Sequence, residues 1–391
     1  MATATIKYYP VCNGDCSLLT LTDNTTIMVD CNIRESSKGD SDETQFDVKA
    51  DLLQSIQRRE SKPFVDVFVL THGDKDHCLG YTKNFYQGDP LKYDKTNLEA
   101  QEIIMDEIWF SPMIQEIHSN DEEDNVQQEV MRRVALHLKG DPNSNKPGNR
   151  ILIIGYDGND SFQKLNHLRK IPGNIITSFN QKEQTLFSVF LHAPFKEQLY
   201  DEEKTKNSAS IVFQARFKQS PADTNFSCLA MFGGDADHYS WCIIQTKTEQ
   251  SNNHINQQAL NWDLFLAPHH CSWTYFNDCP QKDNPTPKDS SLAILDYKRL
   301  NAKVIASSKA ILDNDDNPPH HQAKKQYVNK VGSVKFLNTE THIVKKKTPQ
   351  PIVFEVTAQG PVPPKITEGS AIGAGAAGLG AINKVSGYGA R

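Results

Sequence analysis

The sequence predicts an α/β protein made of two β-sheets with helices on their outer faces, and three observations carry that expectation. The first thirty residues read as a β-meander, with strands expected at 6–11, 17–21 and 26–30 separated by the turn residues Asn13-Gly14-Asp15 and Asp23-Asn24. The segment Val65-Asp66-Val67-Phe68-Val69-Leu70 is an almost continuous apolar run, the pattern of a strand buried on both faces. Strand-like runs then return at 150–155, 185–192, 210–215, 227–232, 263–267, 303–307 and 352–356.

Between these runs, residues 46–57 have the periodicity of an amphipathic helix, and a second helix is expected over 125–139. The stretch 81–150 is less regular and holds the turn-rich Gln87-Gly88-Asp89-Pro90; it reads as an insertion beside the site within one domain covering 1–358. From 359 to 391 the composition shifts to Gly, Ala and Pro, so a flexible tail is expected, with docking to a protein partner as the alternative. There is no internal repeat.

Composition narrows the class. A chain of 391 residues with 38% hydrophobic residues can bury a sizeable core. No run approaches the roughly 18 apolar residues of a membrane span, and the first residues lack the basic and apolar regions of a signal peptide, so a cytoplasmic protein without membrane contact is expected. The net charge of −6 argues against a general nucleic-acid-coating surface. Local patches remain, the basic Lys345-Lys346-Lys347 and the acidic Asp121-Glu122-Glu123-Asp124, both read as solvated surface. The eight cysteines show no paired metal-binding spacing and are expected as free thiols, with Cys228 and Cys242 as small buried hydrophobes.

The chemistry concentrates in His72-Gly73-Asp74-Lys75-Asp76-His77, directly beyond the apolar run. Two histidines and two aspartates around a glycine, in a loop at a strand end, can turn several ligand side chains toward one point, which an ordinary turn does not require.

This segment is similar to the His-x-His-x-Asp-His signature of the metallo-β-lactamase superfamily, with Asp74 in place of the second histidine. That variant, with Thr71 before it and Leu79-Gly80 after, resembles the soluble hydrolase domain of the DNA-uptake protein ComEC and its stand-alone relatives. The likeness continues in order. Val11-Cys12-Asn13-Gly14-Asp15 resembles the opening turn of the family, Ile27-Met28-Val29-Asp30 its following strand, and Asn207-Ser208-Ala209-Ser210-Ile211-Val212 its Asn-x-x-Ser-x-Val strand. Gly233-Gly234-Asp235 resembles the segment supplying a metal-bridging carboxylate, Pro268-His269-His270-Cys271-Ser272 the His-His-Gly-Ser loop, and Asn317-Pro318-Pro319-His320 the last ligand motif.

The resemblance implies an αββα sandwich of two mixed sheets with helices outside. It implies two divalent ions, held by His72, Asp74, Asp76, His77, His192, Asp235 and His320, with Asp30, Asp76, His269 and His270 as catalytic groups. His192 is the choice for the ligand between the first motif and Asp235 because it ends an apolar strand; His118, His137 and His167 lie in helix-like contexts. The carboxylate at 74 shifts the expected metal from strict zinc toward manganese or magnesium without excluding zinc. Cys31, Cys78 and Cys271 replace or follow motif positions, so thiols close to the metals are expected to confer oxidative sensitivity.

Phosphodiester hydrolysis is the first functional reading, because the ions would activate water and clamp phosphate oxygens, with His269 or His270 protonating the leaving group and lysines such as Lys324 and Lys325 holding phosphates. The ComEC likeness implies a nuclease, and its stand-alone relatives imply a bacterial defence context. An ester or thioester hydrolase of the same fold and an inactive partner-binding scaffold are the alternatives.

Overall fold

The structure is a computed structural model that describes residues 2–34, 45–115, 120–156, 158–196, 207–251, 258–344 and 348–364. His118, Lys345–Lys347 and residues 365–391 of the expected tail lie outside them. The chain forms a mixed α/β fold with two large sheets.

The first sheet has ten strands. Its order is Gly360–Val362, Ile352–Thr357, Thr5–Tyr8, Ser17–Thr20, Thr26–Val29, Lys62–Val69, Ile104–Phe110, Arg150–Ile154 and Arg169–Lys170, with Gln57–Arg59 paired beside Lys62–Val69. Pairing is antiparallel through the expected meander and becomes parallel from Thr26–Val29 onward. The second sheet runs Phe336–Asn338, Lys298–Ala306, Trp262–Leu266, Cys228–Phe232, Val212–Phe217, Phe187–Ala193 and Ile175–Ile176. Its first four strands are parallel and the rest antiparallel.

Alternation along the strands sorts the apolar side chains into layers. Ile6, Ile27, Val67 and Val69 of the first sheet share one buried cluster with Val189, Leu191, Phe213, Ala230 and Leu264 of the second. On the other face of the first sheet, Met28, Phe68 and Ile108 pack against Leu52 of the helix Val48–Ser55 and Val126, Val130 and Val134 of the helix Asp121–Leu138. Met231, Phe265 and Val304 of the second sheet pack against Trp241, Ile294 and Tyr327 from the helices His238–Gln250, Asp289–Asp296 and His321–Val331. Each large side chain so buried stabilises the fold by about 1.5–3 kcal/mol.

Three expectations are corrected. The stretch 81–150 is no mere insertion, because Ile104–Phe110 is a fully buried strand between Lys62–Val69 and Arg150–Ile154. The last strand, Gly360–Val362, pairs with Ile352–Thr357, so the sheet extends past the expected start of the tail at 359. Cys242 is exposed, since its helix turns Trp241 and Ile244 inward instead; Cys228 is buried and all eight cysteines are free. No helix among the described residues is long and apolar enough to cross a membrane.

The acidic run at 121–124 is not a solvated patch. It forms the first turn of Asp121–Leu138, capped by the Asn120 side chain accepting from the Glu123 amide, where negative charge complements the helix dipole. Glu122 accepts from the Gly80 and Thr82 amides, which fastens the helix to the loop behind His72–His77.

Two turns on, the buried Glu129 carboxylate pairs with Arg132 and Arg133 at 2.7 Å, and Arg133 donates to the Met105 and Arg150 carbonyls. Burial works to raise the Glu129 pKa, but the two guanidinium groups outweigh it and hold the carboxyl below its ordinary value. A depressed acid stabilises the fold above its unfolded pKa of roughly 4.3 and loses that contribution as pH falls through the folded value. Glu129→Gln is therefore expected to lower stability at pH 7 by about 3–5 kcal/mol, because it strands two arginines, and to flatten the loss of stability below roughly pH 4. Urea unfolding of both proteins across pH 3–7 measures this.

Candidate metal centre

The carboxyl ends of the parallel strands in both sheets open onto one place, the end where α/β sheets usually present ligand-binding loops. Thr26–Val29 leads into Asp30, Lys62–Val69 into His72–His77, Cys228–Phe232 into Asp235, and Trp262–Leu266 into His269 and His270.

Asp235 lies at the centre, buried, with four imidazoles around it. His77 Nε2 and His270 Nε2 stand 3.0 and 3.6 Å from its Oδ1; His72 Nε2 and His269 Nε2 stand 3.5 and 3.6 Å from its Oδ2. Asp74 Oδ2 is 3.5 Å from His72 Nε2, and Asp76 Oδ2 is 3.2 Å from His270 Nε2. Two buried groups, His72–His77–Asp235 and Asp15–His77–His270, bring ligand atoms close enough to hold a metal ion.

Backbone conformation sets this geometry. Gly234 has φ +50°, and a Cβ there would stand 3.1 Å from side-chain atoms of Ser210 and Thr71, so a side chain at this position is strained and crowds both neighbours. The Ser210 hydroxyl accepts from the Asp235 amide, which fixes the aspartate beyond the glycine. His269, His270 and Cys271 all have positive φ, a strained run held by His269 N–H donating to the Gly234 carbonyl. Asp30 is also left-handed, and its carboxylate accepts from the Thr71 amide and hydroxyl, each at 2.7 Å, and from His77 Nδ1 at 2.8 Å.

These bonds decide where the ring protons sit. His77 donates its Nδ1 proton to Asp30, which turns Nε2 toward Asp235. The Thr71 proton goes to Asp30, so His72 Nδ1, 3.2 Å away, donates to the Thr71 oxygen, and its Nε2 faces Asp235 and Asp74. His72 Nε2, Asp235 Oδ1, Asp15 Oδ1 and His270 Nδ1 are all buried without a hydrogen-bond partner. Unpartnered polar atoms cost about 1–3 kcal/mol each, and a cation among the acceptors satisfies them together. The donor chemistry fits a divalent metal.

Electrostatics agree. Burial works to raise the Asp235 pKa, yet the His77, His270, His269 and His72 rings pull it far below the usual range. Burial works to depress the histidines in return, but neighbouring carboxylates raise His72 and His77, and His270 rises to about 10.

The structure brings together His72, Asp74, Asp76, His77, Asp235, His269 and His270. His192 is not among them. Leu191 faces the layer between the sheets, so His192, next along the strand, faces the helix side, where Nε2 hydrogen-bonds the Ala259 carbonyl and Phe190 stacks edge-on. Burial and the nearby Arg216 push its pKa down to about 3. His320 caps the helix His321–Val331, its Nδ1 accepting from the Gln322 amide, beside the ring of Trp273. Asp30 and His270 are fully buried, so Asp30 positions His77, and His270 has no open path to a leaving group. Cys31, Cys78 and Cys271 are buried, and burial pushes their thiols up, which corrects the expectation of oxidative sensitivity.

Sequence reasoning missed roles for Asp15, Thr71 and Thr274. Asp15 stands in the quoted opening turn and its Oδ1 lies 3.5 Å from His270 Nδ1. Thr71 directly precedes His72, the only signal it gave. No protein-family model matches the chain, and no curated protein matches it significantly.

Two outcomes follow from this geometry. Raised histidine pKa values mean that ligand nitrogens carry protons until a metal displaces them, so metal affinity is expected to weaken as pH falls from 8 to 6, with proton release. Calorimetry in two buffers of different ionisation enthalpy reads it directly. Gly234→Ala is expected to cost about 1–3 kcal/mol of stability from the left-handed backbone and the tight contacts, measurable by urea unfolding.

Proposed function

We propose that this chain is a metal-dependent hydrolase of the metallo-β-lactamase fold, most similar in design to the ComEC-like domain, and that it cleaves phosphodiesters. The layers of helices, sheet, sheet and helices, with the site at one end of the paired sheets, support the αββα assignment. The observation that carries the functional reading is the buried Asp235 carboxylate with two histidine nitrogens facing each of its oxygens.

His72, His77 and Asp235 would hold one ion and Asp15, His77 and His270 a second, with Asp74 beside His72 and Asp76 beside His270. When bound, such a pair supplies a Lewis acid that activates water and stabilises charge on phosphoryl oxygens. Three imidazoles in the donor set favour zinc or manganese over magnesium. Asp76, whose side chain is 38% exposed, is held by His270 through Oδ2 and would orient the attacking water.

Lys75, exposed between Asp74 and Asp76, carries no ion pair among the described residues and is placed to meet a substrate phosphate. Of the lysines first considered, Lys325 is exposed, whereas Lys324 sets its ammonium over the Phe336 ring. A lysine at the site favours a phosphodiester over a neutral ester.

The test is hydrolysis of single- and double-stranded DNA, RNA and bis(p-nitrophenyl) phosphate with Mn²⁺, Zn²⁺ or Mg²⁺. Wild type is expected to cleave at least one of them, and Asp235→Asn and Asp76→Ala to lose about 10³-fold or more in kcat, with Lys75→Ala raising KM. Cleavage of p-nitrophenyl acetate but of no phosphodiester would overturn the substrate class.

A further inference from the structure

His192 is turned away from Asp235, and a different histidine faces the Oδ2 side. His269 stands there, its Nε2 3.6 Å from Asp235 Oδ2 and its side chain 21% exposed. The protons around it can be followed outward from a fixed point. Asn317 Oδ1 accepts from the Trp273 amide at 2.9 Å, which identifies that atom as the oxygen, so the Ser272 hydroxyl, 2.7 Å from the same atom, donates to it. With its proton spent, Ser272 Oγ accepts from the Thr274 hydroxyl at 3.0 Å. Thr274 then has no proton left for His269 Nδ1, 3.0 Å away, and accepts the imidazole proton instead. The ring is fixed with hydrogen on Nδ1 and a lone pair on Nε2, and that lone pair faces a carboxylate oxygen across 3.6 Å. Two electron-pair donors opposed at that distance fit a cation between them.

The strained turn is the second observation. Neighbouring residues in a regular strand point to opposite faces, and in a helix they diverge by about 100°. Three left-handed residues in succession let His269 and His270 both reach Asp235, one at each oxygen.

We infer that His269 is a metal ligand through Nε2, on the Oδ2 side of Asp235 with His72, and that Thr274, Ser272 and Asn317 form the relay that fixes its tautomer. The inference rests on the metal-dependent reading above. It removes His269 from the role of proton donor to a leaving group, because Nε2, the nitrogen that faces the site, carries no proton. Thr274 is a positioning residue, acting through His269.

The full chain, stripped with chelator, is titrated with Zn²⁺ and Co²⁺ by calorimetry and visible absorption. Wild type binds two ions. His269→Ala is expected to bind one of them at least about 100-fold more weakly, Thr274→Val about 10- to 100-fold more weakly, and Thr274→Ser to restore the affinity. His192→Ala is expected to leave both ions in place. In the Co²⁺-loaded protein, proton NMR should show an exchangeable, hyperfine-shifted Nδ1–H resonance that disappears in His269→Ala. Retention of both ions at wild-type affinity by His269→Ala overturns the inference, as does wild-type affinity in Thr274→Val or loss of an ion in His192→Ala. A wild-type chain that binds no ion overturns the metal-dependent reading itself, so the two failures are told apart.

Discussion

A carboxylate sealed beneath the surface with four imidazoles aimed at it demands positive charge, and the whole end of this molecule is arranged around meeting that demand at Asp235. Protons on the imidazoles can meet that requirement, and the His and Asp clusters are close-set enough to hold a metal ion instead. Asp30 and Thr71 take the outward protons of His72 and His77, which turns the inner nitrogens toward Asp235. The compact Gly234 turn, the Ser210 hydroxyl and the left-handed run after Pro268 are the local conformations that this convergence imposes.

Convergence also explains why the sheets change from antiparallel to parallel. A parallel strand delivers its loop at the same end as its neighbour, so the parallel halves of both sheets empty their carboxyl ends into one region. The antiparallel outer strands close the layer between the sheets. The opening turn is pinned into the same region: Ser307 donates to the Gly14 carbonyl, Asn13 to the Pro318 carbonyl, and Asn32 to the Asn13 carbonyl.

Sequence made the strands with plain apolar runs and the compact His72–His77 segment legible, because their signals are local. It hid Ile104–Phe110, since Asp106 and Glu107 interrupt the apolar pattern. Both acids are buried because distant groups satisfy them, Arg59 and Asn180 for Asp106 and the Trp109 indole for Glu107. It misplaced His192 because a histidine ending an apolar strand looks the same whichever face it takes, and the parity of that strand is set by the layer against which it packs. It passed over Thr71 and Thr274 because an ordinary hydroxyl acquires its role only from what lies across a fold. The order of the motifs carried information that no single motif did, yet it pointed to His192, which the fold turns away from the site.

The strand Thr5–Tyr8 lies between Ser17–Thr20, its immediate successor, and Ile352–Thr357, with Ile6 opposite Phe354. During synthesis, the meander therefore leaves the ribosome with one open edge that its own neighbourhood cannot cover, and the partner for that edge is made only after all four loops of the site. An unpaired edge invites pairing with other chains, and contacts that span most of a chain form slowly. That edge stays open to other chains until residue 352 has emerged, and the strand that closes it touches none of the metal-facing side chains described above.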